Sequence, residues 1–354
     1  MKIEAIRGLI LEEIILFLLE KIGYRIVSPG DEGTRLGKAG LEVPGRGAWH
    51  QIDAYAAFDH TPAFVFPLRL LMEAKCYKPE NKVKIETIRN SVGVLKDISE
   101  NYFTYQPIKG QKKLQESRFN FISAVFSTSG FTKEAQRYAI AHQVFLIQYK
   151  EVFLLSELAN VLQELKLEHF SRLEDKKRKF SHDLRVELRG LLNALEISDY
   201  QPFNEFSHTG MIFLRERIIP PLKKIKGSYF GMLQGKWPMH FLSSKPLPAE
   251  LFEKTDIVKC KIHGRESRRW AFVPSDQTKE GPLWFQLEFD LPDEIYKLVK
   301  KANDPRRIAD LKKQHFSTIY LSGIIGGVNR QVQLQLDMNW LNAYRKTLKP
   351  LVKI

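Results

Sequence analysis

Three side chains set the chemistry this sequence can attempt: Asp53, Glu73 and Lys75. Glu73 and Lys75 stand two apart in Leu71-Met72-Glu73-Ala74-Lys75-Cys76-Tyr77, a stretch that reads as a short strand. Successive side chains of a strand point to opposite faces, so Glu73 and Lys75 share one face and Met72, Ala74 and Cys76 the other. An acid and a base in an otherwise apolar strand are costly to bury without a charged partner. Asp53 closes Gly45-Arg46-Gly47-Ala48-Trp49-His50-Gln51-Ile52-Asp53, read as a second strand, and supplies another carboxylate. A divalent cation held by Asp53 and Glu73 meets the need, with Lys75 beside it to contact a phosphate or an attacking water. Two carboxylates, a backbone carbonyl such as that of Ala74, and waters suit Mg²⁺ or Mn²⁺. The bland alternative is a surface ion pair between Glu73 and Lys75. Against it, Leu68 to Met72, Arg69 aside, is too apolar for an exposed edge strand and favours a buried central one.

The elements that must position these residues can be read in chain order. Ile3 to Ile22 has helical spacing, with Leu11, Ile15, Leu18, Leu19 and Ile22 in one stripe, and Gly23 ends it. Glu12 falls on the margin of that stripe, either facing the site or as a solvated acid at its edge. Glu13 falls with Glu20, toward water. Tyr24 to Ser28 is a short strand, followed by a loop through Gly47 in which Arg35, Lys38 and Arg46 approach a phosphate backbone or are solvated surface. His50 either helps hold phosphate and water or is structural. Asp59-His60-Thr61-Pro62 supplies the turn between the two central strands. Cys76 faces away from the site, as a packed small residue. Lys78 follows, then a helix from Lys84 to Tyr102 with Ile85, Ile88, Val92, Leu95 and Ile98 inward and Glu86, Arg89 and Lys96 outward. Residues 106–117 form a polar, Lys-rich connection. Phe119 to Phe126 reads as a buried strand, Thr132 as the N-cap of a helix from Lys133 to His142, and Val144 to Tyr149 as the strand closing the sheet. Backbone N–H groups at that helix start either bind a phosphate or are simply capped. Arg46, His50, Lys78 and Arg89 are the candidate nucleic-acid contacts.

An Asp followed by Glu-x-Lys on an apolar strand resembles the PD-(D/E)XK nuclease superfamily, and the flanking residues resemble its Mrr-type, restriction-endonuclease-like branch. Leu11-Glu12-Glu13 through Gly23-Tyr24 is similar to that family's first helix. Ile85 to Leu95 is similar to the helix after the Glu-x-Lys strand, and Phe121 to Tyr149 to its late strand, helix and closing strand. The resemblance covers roughly residues 1–155. Ile52 stands where the superfamily's naming Pro would be, and Glu73 where the Mrr branch often has Gln. The resemblance implies Asp53, Glu73, Lys75 and Glu12 as catalytic residues, Asp53, Glu73 and the Ala74 carbonyl as metal ligands, and a helix-borne assistant such as Glu86 or Arg89.

A chain of 354 residues with 44% hydrophobic content suggests two domains with real cores. The net charge of +14 argues for a polyanionic partner; phosphate backbones are the commonest kind, and charge alone does not separate nucleic acid from an anionic surface. Cys76 and Cys260, the two cysteines, make neither a disulfide framework nor a Cys-rich zinc site. Glu12 and Glu13 interrupt the longest early apolar run, and nothing reaches the roughly 20 apolar residues of a membrane span. The expectation is a cytoplasmic protein that does not enter the membrane.

Val152 to Leu195 looks helical, with Arg172, Lys176, Lys177, Arg178 and Lys179 as a solvated or phosphate-tracking run. Beyond it Trp237, Trp270, Trp284, Tyr229 and Phe230 are either stacking platforms or core aromatics. The fold class expected is α/β: a restriction-endonuclease-like core over 1–155 with a mixed central sheet flanked by helices, a basic helical linker over 156–198, and an α+β domain over 199–354. The function expected is Mg²⁺-dependent DNA endonuclease action, in restriction or antiviral defence. One such site cuts one strand, so a double-strand break calls for a homodimer or repeated nicking, and a partner defence protein is the other arrangement. The rivals are a silent or partner-activated DNA-binding subunit of a larger complex, and a structural protein whose basic surface serves solubility.

Overall fold

The computed structural model describes residues 2–31, 33–37, 40–101, 118–152, 154–170, 177–198, 200–201, 208–233, 237–264, 268–279, 281–302 and 304–347. Lys38, residues 106–117, Arg172 and Lys176, and the side chains of residues 177–179, lie outside them. The chain folds as two compact units, Met1–Lys150 with Glu157–Lys223, and Glu151–Ser156 with Lys224–Ile354.

The first unit contains α1 (Ile3–Glu20), β1 (Arg25–Ile26), β2 (Arg35–Leu36), β3 (Leu41–Pro44), β4 (Trp49–Gln51), β5 (Ala54–Phe58), β6 (Leu68–Lys75), α2 (Ile85–Glu100), β7 (Asn120–Ser127), α3 (Lys133–Ala141), β8 (Val144–Gln148), α4 (Ser156–Glu164), α5 (Lys177–Asn193), α6 (His208–Phe213) and α7 (Ile219–Lys223). Its main sheet has the order β1-β5-β6-β7-β8. Pairing is antiparallel from β1 to β6 and parallel from β6 to β8, so the sheet is mixed. The apolar run before Glu73 is the central strand, as its composition requires.

Alternation assigns the two faces. Leu71 packs with Tyr55, Ala57 and Ile98 under α2, and Val125 packs with Ile88, Val92, Ala135 and Val144 under α2 and α3. Leu70, Met72 and Ala74 point the other way and are buried on the side where α1 contacts β5 and β6. Gly23 (φ 107°) ends α1 in the left-handed region that favours glycine, its N–H and that of Tyr24 both donating to Leu19 O.

Three expectations change on this frame. Trp49 to Asp53 is not one strand: β4 joins β2 and β3 in a separate three-stranded sheet, and Asp53 sits in the bend before β5. Ile52 N–H bonds Leu41 O and the Ile52 side chain fills the patch under α2, which pulls β4 out of the main sheet. Glu13 does not face water; it is 1% exposed, because α5 packs on the side of α1 away from the sheet. The segment read as a linker thus folds into the first unit.

The second unit contains β9 (Gly227–Leu233), β10 (Trp237–Ser243), β11 (Ile257–His263), β12 (Arg269–Pro274), β13 (Leu287–Asp290), α8 (Asp293–Lys301), α9 (Pro305–Phe316), β14 (Thr318–Ile325), β15 (Val328–Leu336) and α10 (Met338–Thr347). The sheet order is β10-β9-β14-β15-β11-β12-β13, with β11 and β15 parallel. Both units mix helices with mixed sheets, so the fold class is α/β. Of the aromatics singled out, Tyr229 and Trp270 belong to the core, while Trp237, Trp284 and Phe230 are half-buried. β13 starts at Leu287, after a turn in which Trp284 N–H donates to Gly281 O.

Lys312 is buried among these aromatics, 1% exposed. Its ammonium donates to Ile262 O at 2.7 Å and lies 5.0–5.5 Å from the Trp270, Trp340 and Tyr344 ring centres. Lys312→Ala removes a charged hydrogen bond and leaves a void, and should cost about 3 kcal/mol. The urea midpoint followed by tryptophan fluorescence reads it, and an unchanged midpoint would refute the estimate.

Candidate active site

Asp53 reaches the site from the bend before β5, and Glu73 and Lys75 from the last turn of the β6 pleat. Lys75 Nζ lies 2.6 Å from Glu73 Oε1 and 3.9 Å from Asp53 Oδ2. The Ala74 N–H donates to Asp53 Oδ2 at 3.3 Å, and Ser91 Oγ of α2 donates to Glu73 Oε2 at 3.4 Å. Side-chain exposures of 22–32% for the three groups put them within reach of solvent. An open recess of about 180 Å³ lies against Asp53 and Glu73, with Gln51, Ser91 and Ser123 as its other polar walls.

The backbone around Glu73 fits a cation as well. N–H and C=O of one extended residue point to the same side of its strand. Lys75 O accepts from Thr128 N–H on the β7 side, whereas Ala74 N–H turns to Asp53. Alternation therefore directs the Ala74 carbonyl toward Asp53, past the end of β5. The oxygen donors are Asp53, Glu73 and this carbonyl, a hard set that suits Mg²⁺ or Mn²⁺. Among the described residues no three His, Cys, Asp or Glu side chains converge on one point. The Lys75 ammonium instead lies against both carboxylates.

Electrostatics show what the carboxylates lack. Burial pushes the Asp53 pKa up, Lys75 and the Ala74 N–H pull it back, Glu73 raises it further, and the net result is above the ordinary aspartate value. Burial works against the Lys75 ammonium, but Glu73 and Asp53 outweigh it and its pKa is raised. Lys75 is therefore a fixed cation here and no proton acceptor. Burial also holds the Cys76 thiol up at about 11, so this neighbour, on the opposite face, is inert.

Glu12 lies behind Asp53 on α1. Its carboxyl is raised to about 7, first by burial, against the pull of Arg185 and with a further push from Asp53. Arg185 of α5 bonds Glu12 through Nη2 and Glu13 through Nη1, the latter at 2.6 Å, and Arg189 Nε bonds Glu13 at 2.6 Å. Glu12 is thus close enough to Asp53 to sense its charge, and its carboxylate is engaged by α5.

The candidate nucleic-acid residues do not gather at the recess. Arg46 bonds Glu100 at 2.7 Å and lies 3.8 Å from Asp97, and His50 Nε2 is 2.6 Å from Asp97 Oδ2. Both are tied to the end of α2. Lys78 is exposed three residues beyond Lys75, and exposed Arg89 lies 5.7 Å from the Tyr138 ring. Thr132 caps α3, accepting from Ala135 N–H. Sequence reasoning missed Ser91, Gln51 and the two arginines. For Arg185 and Arg189, the signal was their spacing of four, one helix face, matching the adjacent pair Glu12 and Glu13.

No protein-family model matches this chain, and no curated protein does. Two solved structures show partial likeness. One is a crystal structure of a protein of unknown function, with TM-score 0.30 and 14% identity over 50% of this chain and 77% of that one. The other is the MspJI restriction endonuclease in complex with a 27-mer oligonucleotide, with TM-score 0.20 and 18% identity over 40% of this chain. The second match spans 25% of the endonuclease's own length. Both overlaps are too partial to bear on chemistry.

Proposed function

We propose that the chain is a metal-dependent deoxyribonuclease that hydrolyses phosphodiesters at Asp53, Glu73 and Lys75. One observation carries this reading: two carboxylates and an ammonium meet at the end of the central strand, beside an open recess. Asp53, Glu73 and the Ala74 carbonyl would hold Mg²⁺ or Mn²⁺. When bound, such an ion neutralises phosphate charge and makes a water acidic enough to attack. Lys75 would face a non-bridging phosphate oxygen and stabilise charge there. Ser91 orients Glu73, and the Ala74 N–H orients Asp53. Glu12 acts through Asp53's field and does not touch the phosphate. DNA as substrate draws on the +14 charge, and the restriction-endonuclease-like core and defence role draw on the sequence resemblance.

The Lys75–Glu73 pair at 2.6 Å favours a second reading, in which the core stays silent until a partner or substrate separates the pair. Supercoiled plasmid, linear duplex and single-stranded DNA, each with Mg²⁺, Mn²⁺ or EDTA, test both. The enzyme reading expects cleavage that needs the metal and disappears in Asp53→Ala. Calorimetric Mn²⁺ binding without cleavage supports the silent core. Equal cleavage by wild type and Asp53→Ala, or absence of both binding and cleavage, overturns both.

A further inference from the structure

In the second unit one face of the sheet is covered by helices. On the other, Ser228, His240 and Leu242 of β9 and β10 and Ala271 and Val273 of β12 are also buried, and the central strands β14, β15 and β11 carry exposed side chains. Val258, Cys260, Ile262, Ile319, Leu321, Val332 and Leu334 point into the core, where α8, α9 and α10 contribute Ile295, Ile308, Phe316 and Leu341. The alternate positions point the other way. Tyr320 of β14 is 50% exposed among them. Register sets it opposite Gln333 of β15 on one side and Met232 of β9 on the other, and Gln333 lies opposite Ile257 of β11. Lys259, Gln335 and Thr318 form the next row on one side. Gln331, Ser322 and Phe230 form the next on the other. Neighbouring strands are about 4.8 Å apart, so each row is on the order of 10–15 Å across, the span of two or three stacked bases. No carboxylate occupies these three rows; Asp337 stands in the row beyond, level with Lys261. Gly231 leaves room for the Leu321 and Phe241 side chains, since a Cβ there would lie 2.8 Å from Leu321 Cδ2.

We propose that the exposed middle of this second face is a platform for single-stranded nucleic acid. Tyr320, and Phe230 one row away, offer rings to bases. The carboxamides of Gln331, Gln333 and Gln335 address base edges, and exposed Lys259, with half-buried Lys261 farther along β11, meets the phosphates. An apolar protein partner would find amides and ammonium groups in the middle of its contact, whereas a nucleic-acid strand offers a partner to each. The choice of a single strand follows from shape. A ring standing on a flat sheet needs a base face, and a duplex keeps its base faces stacked inside. The covered face accounts for Tyr229 and Trp270; the other leaves Tyr320 half in solvent on the central strands.

The test is binding of fluorescein-labelled oligothymidine, and of a duplex of the same length, by the full chain in EDTA. Without a divalent ion the readout is independent of cleavage, so its failure leaves the Asp53 experiment untouched. Tyr320→Ala should weaken single-strand binding about 10-fold, the value of roughly one stacked base, while Tyr320→Phe stays near wild type. Lys259→Ala with Lys261→Ala should flatten the slope of log K against log salt by about 1.4, roughly 0.7 per phosphate contact. Duplex affinity should change less than about twofold. Wild type failing to bind oligothymidine overturns the proposal. So does equal binding by Tyr320→Ala and wild type, or an equal loss for duplex and single strand. Should Tyr320→Ala misfold, the salt slope of the lysine pair decides alone.

Discussion

Lys75→Ala should lower Mg²⁺-dependent DNA cleavage by about 10²–10³-fold while leaving Mn²⁺ affinity unchanged or tighter. The two effects separate because Lys75 and the cation compete for the same carboxylates. Its ammonium sits 2.6 Å from Glu73 and 3.9 Å from Asp53, so an ion bound there would have to displace it. Removing the amine frees both acids for the metal and deletes the charge that faces the phosphate. A cation whose pKa is held above the ordinary lysine value cannot serve as a base, so the loss should be nearly independent of pH between 7 and 9. Asp53→Asn should behave differently, losing metal binding and cleavage together. Lys75→Ala losing Mn²⁺ affinity as well would show the lysine to be structural, and full cleavage would remove it from the site.

Metal binding at Asp53 would carry its own pH signature. Asp53 is raised by burial and by Glu73, and a metal ligand must be deprotonated. Mn²⁺ binding should therefore tighten as pH rises through Asp53's raised pKa, and Lys75→Ala should move that dependence upward, because the main influence lowering Asp53 is gone. A flat pH dependence in calorimetry would mean that Asp53 is no ligand.

What the sequence disclosed was what adjacency in the chain encodes. Alternation in Leu71 to Cys76 placed Glu73 and Lys75 on one face, and the apolar run before them marked β6 as central, because both signals are local. Thr132 as a cap and the inward stripe of α2 follow from the same short-range rules. Failures came where a distant segment decided the environment. Glu13 looked solvated from the spacing of α1 alone; two arginines 172 and 176 residues away bury and pair it. For His50 and Arg46 the sequence left phosphate contact and a structural role both open, and Asp97 and Glu100, at the far end of α2, hold them. The hairpin of β9 and β10 was not read from the sequence, where Gly227, Gly231 and Pro238 interrupt the strand pattern. Pro238 lies on an edge strand, where a missing N–H is tolerated, and Gly231 makes room for the Leu321 and Phe241 side chains.

Arg185→Ala should destabilise the chain by about 3–5 kcal/mol, the cost of leaving a buried carboxylate without its partner. Glu13, 1% exposed, would keep only Arg189, and Glu12 would lose its guanidinium altogether. The pair can be separated from the packing by a cycle. Glu13→Gln with Arg185→Gln should recover much of the loss, whereas simple cavity formation would leave the double variant no better than the single one. Glu12 supplies the pH test. Its folded pKa of about 7 exceeds the ordinary 4.5, so between those values the folded chain holds a proton that the unfolded chain has released. Stability is then highest at or below pH 4.5 as far as this group decides, and falls as pH rises to 7, by about 3 kcal/mol in all. Glu12→Gln carries no such proton, so in metal-free buffer it should match wild type near pH 4 and exceed it near pH 8. A difference between the two proteins that does not vary with pH would mean that Glu12 is ionised throughout. The same guanidinium also pulls the Asp53 pKa down, so Arg185→Ala, like Lys75→Ala, should move the pH dependence of Mn²⁺ binding upward in the fraction that remains folded. That couples α5, more than 100 residues beyond Lys75 in the chain, to the chemistry at Asp53.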